Sequence, residues 1–289
     1  MEEKGKKGRM DYTLLLIVVL LVVIGLVILY STSAYNGQVK FHDSFYYLKK
    51  QAFATVLGIV LMLFVAGMDY HIWQRLAVFG YLAAVALSVA VMLFGREING
   101  SKRWLALGPF SFQPSEFAKV ALILFLADLV TKNVKTIGKM WTLCRIMFWI
   151  LPIVGLVGAS NLSTAIIILG IGVILIFVAS PKYAQFALMG IAGACFMGIF
   201  LALESYRLER LAIWRNPEKY EKGYQTLQGL YAIGSGGVFG VGIGNSVQKL
   251  GFVPEAQNDM IFSIICEELG IFGGLIVLML YAYLLYRLG

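Results

Sequence analysis

Apolar residues along this chain come in runs too long for the strands or amphipathic helices of a water-soluble core. Eight stretches approach the roughly 20 apolar residues that a helix needs to cross a hydrocarbon layer. They lie at residues 12–32, 46–67, 74–94, 115–131, 144–159, 162–179, 183–203 and 260–286. The polar intervals between them are short except for 95–114 and, above all, 204–259. The pattern predicts an all-α fold: a polytopic membrane bundle of eight transmembrane helices, one domain over 1–289, with a large loop at 204–259 between helices 7 and 8.

Composition agrees with that pattern. The chain of 289 residues is 60% hydrophobic and 14% charged, far below the roughly 25% charge of soluble domains. Its formal charge of +8 would suit nucleic acid in a soluble protein. In a membrane chain the excess sorts by side, because basic residues are retained in the cytoplasm. With the N-terminus inside, Lys4, Lys6, Lys7, Arg9, Arg75, Lys132, Lys135, Lys139, Arg145, Lys182 and Arg287 are cytoplasmic. The shorter outer loops keep the smaller set of Lys40, Lys49, Lys50, Arg96, Lys102 and Arg103. The basic start and the "STSAY" after the first run would also suit a secretory leader, but its apolar stretch exceeds the roughly 7–15 residues of one, so an uncleaved helix is expected. Cys144, Cys195 and Cys266 lie in or beside spans and suggest no disulfide framework, and His42 and His71 fall on opposite sides, which argues against a histidine metal site.

With this orientation the two long intervals face outward, and long loops are where function concentrates. In the first, Pro114 suits the first position of a helix and puts Glu116 and Lys119 three apart on one face. Such a pair either orients its own helix or lines a polar cavity, where Arg103 would hold an anionic group through its planar fork. In the second, Leu208, Leu211 and Trp214 interleave with Arg207, Arg210 and Arg215 in the manner of an amphipathic surface helix. The run "GSGGVFGVGIGNS", Gly234 to Ser246, lacks the spacing of a nucleotide-binding loop, and its glycines suit close backbone approach in a re-entrant or surface loop. Asp259 stands where the long loop meets the last apolar run, as a helix cap or as a half-desolvated carboxylate able to take a proton. Glu267 and Glu268 cannot both face lipid, so one is expected to pair inside the bundle.

The strings "NGSKRWL", "FQPSEFAK", "GYQTLQGLYAIGSGGVFGVGIGNSVQK" and "VPEAQNDMIFSIICEELG", in this order, resemble the signatures of the SEDS family, the FtsW/RodA/SpoVE cell-wall polymerases. "NLSTA" at Asn161 to Ala165, where RodA-type proteins tend to read Pro-Asp-Leu-Gly-Thr, looks closer to the division and sporulation branch. The resemblance implies a peptidoglycan glycosyltransferase that polymerises lipid II on the outer face of the bacterial cytoplasmic membrane beside a class B penicillin-binding protein. It implies Asp259 as the essential carboxylate and Arg103, Gln113, Ser115, Glu116 and Lys119 as cavity residues; Lys249 and Glu255 of the second interval are expected to bind substrate with them. Arg103, helped by Lys119 or Lys249, is then the candidate for the pyrophosphate charge, with a divalent cation, magnesium or manganese, as a further helper. The growing glycan strand and other division or elongation proteins are the remaining expected partners. Two departures stand out: the family usually has ten spans where eight are read here, and Met260 stands where phenylalanine is commoner. The rival readings are a transporter that moves lipid II across the membrane and a scaffold without catalysis.

Overall fold

The computed structural model describes residues 11–98, 101–107, 110–180, 182, 185–186, 190 and 212–288. The described chain is helical apart from one small sheet, and it divides into two compact units, one of Met1–Ala66 with Leu201–Gly289 and one of Gly67–Phe200. Six described helices are long and apolar enough to cross a membrane. The seventh predicted span, with Cys195, and most of the predicted surface helix around Arg207, Leu208, Arg210 and Leu211 lie outside the described residues.

The first unit is built on α1 (Tyr12–Phe41), α2 (Tyr46–Ala66), α7 (Tyr224–Gly236) and α8 (Ile261–Leu288). Asp11 caps α1 by accepting from the amides of Thr13 and Leu14, and His42 ends it in the left-handed region. At about 1.5 Å per residue α1 is roughly 45 Å long, more than a hydrocarbon layer requires, and this is why helix continues nine residues past the apolar run predicted to end at 32. Asp43 in the turn to α2 accepts from Lys49 at 2.7 Å, and that ammonium holds its carboxyl below the usual range. α1 and α8 pack antiparallel. Asp11 meets Arg287 at one end and Ser31 meets Glu268 further along, while Ile28, Ile265 and Val277 form the apolar seam. The outward-facing Leu, Val and Phe side chains of α2, none of whose residues is buried, suit contact with lipid.

The second unit contains α3 (Tyr70–Phe94), α4 (Pro114–Asn133), α5 (Met140–Ser160) and α6 (Leu162–Ala179), with β1 (Arg96–Ile98), β2 (Ser101–Leu107) and β3 (Phe110–Phe112) between α3 and α4. Leu122 and Leu126 of α4 are fully buried against Ile146, Ile150 and Ile153 of α5 and Ile168 of α6. α4 occupies the expected fourth span, but Glu116, Lys119, Asp128 and Lys132 leave it outside the six apolar enough to span on composition alone. Buried Asp128 accepts from Gln74 of α3 at 2.8 Å and from Lys132 at 2.6 Å, so its charge is satisfied within the unit. Two features of the described chain were not predicted: the antiparallel sheet, in the order β1-β2-β3, and α7, which lies inside the interval 204–259 read as a loop.

Candidate functional site

Residues 236–242 run alongside a break in α8. Gly270 sits inside that helix at φ +71°, a conformation open to glycine and costly for other residues. The break releases the carbonyls of Glu267 and Glu268 from helical pairing, and the amides of Val241 and Gly242 donate to them at 2.9 Å. In the other direction the amides of Ile271 and Phe272 donate to the carbonyls of Gly237 and Val238 at 3.0 and 3.1 Å. The contact has no room for side chains. A Cβ on Gly240 would lie 2.2 Å from the Glu268 carbonyl oxygen, and one on Gly270 2.2 Å from that of Val238. Gly270 lies nine residues into α8, roughly 13 Å along its axis. Non-helical backbone is tolerated at such depth where protein covers its polar groups, and the glycine run supplies that cover.

The two glutamates turn inward and both are satisfied. Glu267 accepts from the Ser246 hydroxyl at 2.5 Å and from the amides of Val247 and Gln248 at 3.1 and 3.4 Å. Glu268, 0% exposed, accepts from the Lys249 ammonium at 2.7 Å and from the Ser31 hydroxyl at 2.6 and 2.8 Å. Lys249, expected among the substrate-binding cations of the outer loop, is only 6% exposed, and Glu268 engages its charge. The sequence leads to one inward pairing for the Glu267–Glu268 pair, and the structure has two.

From Lys249 the chain turns through Val253 and Ala256, which pack with Ala232 and Ile264, to the "PEAQND" segment. Glu255 takes φ +52°, and its carboxylate accepts from the side-chain amide of Asn258 at 2.6 Å and of Gln257 at 3.4 Å. Gln257 in turn accepts from Asn36 of α1 at 3.1 Å. Asp259 follows, exposed, and its carboxylate has no hydrogen-bond or ion-pair partner among the described residues. The capping alternative is therefore not realised: Ile261 donates its amide to the Asn258 carbonyl at 3.5 Å, and the Asp259 side chain is left for something else. In the same unit α1, α2 and residues 243–250 surround an open, mostly apolar cavity of about 660 Å³.

The second unit holds the other expected residues. Arg103, on β2, donates its Nε–H to the Ser160 carbonyl at the C-terminus of α5, where the helix leaves carbonyls unpaired and a cation is favoured. Asn161 closes that corner, donating its amide to Val157 at 2.7 Å and capping α6 through Thr164. A narrow notch there is lined by Arg103, Gln113, Ser115, Ser160 and Asn161, so four motif residues from three separate strings converge with a fifth residue, Ser160. Gln113 precedes α4 without a side-chain cap and Pro114 opens the helix. Glu116 and Lys119 pair at 2.8 Å on one turn, 57% and 26% exposed at their side chains. Missed by sequence reasoning are Ser31, Asn36 and Ser160, which only the fold brings to these places.

A family model named FTSW_RODA_SPOVE, described as "Cell cycle protein", matches residues 12–288. The chain belongs to the FtsW/RodA/SpoVE family. It is 37% identical over 295 residues to stage V sporulation protein E of Bacillus subtilis, covering 98% of this chain and 79% of that one. A probable peptidoglycan glycosyltransferase FtsW of Saccharophagus degradans is 32% identical over 286 residues, covering 97% and 74%. Among solved structures, a chain described under "Structural coordination of polymerization and crosslinking by a peptidoglycan synthase complex" superposes with a TM-score of 0.75 at 29% identity. That match covers 97% of this chain and 77% of the other. A helical multi-pass membrane protein of this family is thus what the eight apolar runs encode.

Proposed function

We propose that this chain is a peptidoglycan glycosyltransferase that polymerises lipid II at the outer face of the bacterial cytoplasmic membrane, with its N-terminus inside, for division or sporulation. The observation that carries the reading is the exposed carboxylate of Asp259, without a partner among the described residues, at the end of a turn organised by Glu255. Relatives named as peptidoglycan glycosyltransferases supply the reaction class, and the synthase complex among the structural neighbours supports a class B penicillin-binding protein as partner.

In this mechanism Asp259 accepts the proton of the acceptor sugar hydroxyl as that oxygen attacks the anomeric carbon of the donor. The bond from that carbon to the lipid pyrophosphate breaks, and direct displacement turns an α-linked donor into a β-linked glycan without an enzyme-bound intermediate. Arg103 is assigned to an anionic group of the substrate, with Gln113, Ser115 and the Glu116–Lys119 pair as polar contacts. The apolar cavity of about 660 Å³, within the usual range of ligand sites, suits a stretch of lipid chain. No group of three or more His, Cys, Asp or Glu side chains fit to hold a metal ion occurs among the described residues, and no step is routed through one.

The test is glycan formation from labelled lipid II in detergent, with the class B partner present, by wild type and by Asp259→Asn. The amide keeps shape and hydrogen bonding but cannot take a proton at neutral pH, so polymerisation should fall by about 10² to 10⁴ while lipid II binding persists. Glycan made by the variant at the wild-type rate would remove Asp259 from the mechanism. Absence of glycan from both, with lipid II crossing vesicle membranes, would favour transport.

A further inference from the structure

Asp259 is separated in sequence from the polar cluster around Lys249, yet one rail holds both. Ser31 and Asn36 lie five residues apart on α1, roughly 7.5 Å along its axis. Ser31 accepts from Lys249 at 2.9 Å, and Asn36 donates to Gln257 at 3.1 Å. The nine residues from Lys249 to Gln257 are thus tied to α1 at both ends. Between the ties, Val253 donates its amide to the Gln248 carbonyl at 2.9 Å, and Val253 and Ala256 are buried. Asp259 follows the second tie by two residues.

Stability alone does not call for a buried lysine and glutamate here, because well-packed apolar residues of similar volume are commonly as stable or more so. What the ion pair adds is register. A loop shifted by one residue would leave Lys249 and Glu268 both buried and unpaired, whereas an apolar contact would tolerate the slip. We propose that the Lys249–Glu268–Ser31 cluster is a positioning clamp for the polymerase reaction, fixing the segment that presents Asp259, and that Lys249 acts there and not on the substrate's phosphates. This rests on the reading of Asp259 as the base. Ser31 completes the clamp by donating to Glu268 while accepting from Lys249, which binds α1 to both the loop and α8.

The decisive variant is Lys249→Met with Glu268→Met, which removes both charges together and leaves neither stranded. Its thermal unfolding midpoint in detergent should equal or exceed that of wild type. Its kcat for glycan formation should fall by about a hundredfold, the size of effect that a misplacement near 1 Å produces, with KM for lipid II held within about threefold. Ser31→Ala, which keeps the ion pair and loses only the tie to α1, should lower kcat by about tenfold with the same unchanged KM, and it decides the matter if the double variant fails to accumulate. A readout independent of activity uses Asp259→Cys in a chain lacking its native cysteines. Adding the two methionines should change its rate of maleimide labelling about tenfold or more, while a Lys222→Cys control labels as before. Wild-type kcat in a well-folded double variant, or unaltered labelling at position 259, would overturn the clamp. If wild type itself makes no glycan, the polymerase reading fails while the labelling result still judges the clamp.

Discussion

At the scale of single residues, the Glu116–Lys119 pair shows how a magnitude separates two roles. The pair is i,i+3 on α4, with the glutamate 57% exposed, so it contributes only about 0.2–0.5 kcal/mol to the helix. Glu116→Gln and Lys119→Met should therefore leave protein level and unfolding temperature nearly unchanged. If the pair contacts substrate, each should still lower glycan formation by tenfold or more in the detergent assay, and normal polymerisation by both would leave it a helix-internal contact. The types and order of the motif residues were legible in the sequence because their strings are specific. Partnership was not. Nothing in the spacing of Lys249 shows that its ammonium is used by Glu268 and Ser31, the latter 218 residues away, and a lysine in a polar loop reads as solvent-facing until the fold buries it.

At the scale of elements, apolar length located the long described helices well, and their polar extensions and the short α7 poorly. α1 runs on to Phe41 because the residues past its apolar run keep helical pairing where water replaces lipid. The small sheet escaped notice because a chain read by hydrophobic run length gives strands of three and seven residues no weight. The signal was present in Asn99-Gly100 and Gly108-Pro109, dipeptides that favour turns and separate the strands. The glycine run was legible as a place of close approach, but not as the partner of a broken α8, since the break depends on contacts over some thirty residues of chain. Gly240→Ala tests that pairing. With φ at +81° and the Glu268 carbonyl in the way, the substitution should cost roughly 2–4 kcal/mol. It should be read as a lower unfolding midpoint, while Gly234→Ala, which meets nothing within 4 Å, stays close to wild type.

At the scale of the whole molecule, Asp11 beside Arg287 puts the beginning of α1 and the end of α8 on the same side, which requires an even number of crossings between them. Eight predicted spans satisfy that parity. On the N-inside orientation expected from the basic residues, cysteines placed singly at Lys135 and Lys222 in a cysteine-free chain should label from opposite faces of the membrane. Labelling of both by an impermeant reagent added outside intact cells would reject the N-inside orientation.

The break at Gly270 also bears on how the chain is made. An acidic side chain at the centre of a spanning helix costs roughly 2.5–3.5 kcal/mol on insertion scales, and the first turns of α8 carry two in succession. Residues 261–269 should not leave the translocon for lipid unaided. A reporter fusion carrying only 261–288 should insert inefficiently, as read by glycosylation-site mapping, and Glu267→Leu with Glu268→Leu should raise its insertion. Equal insertion of the two would mean that the acids impose no such barrier. In the full chain the partners of this segment, Ser31, the glycine run and Lys249, are all synthesised before it. The order of synthesis thus lets the chain ready a receptor for α8 before that helix emerges from the ribosome.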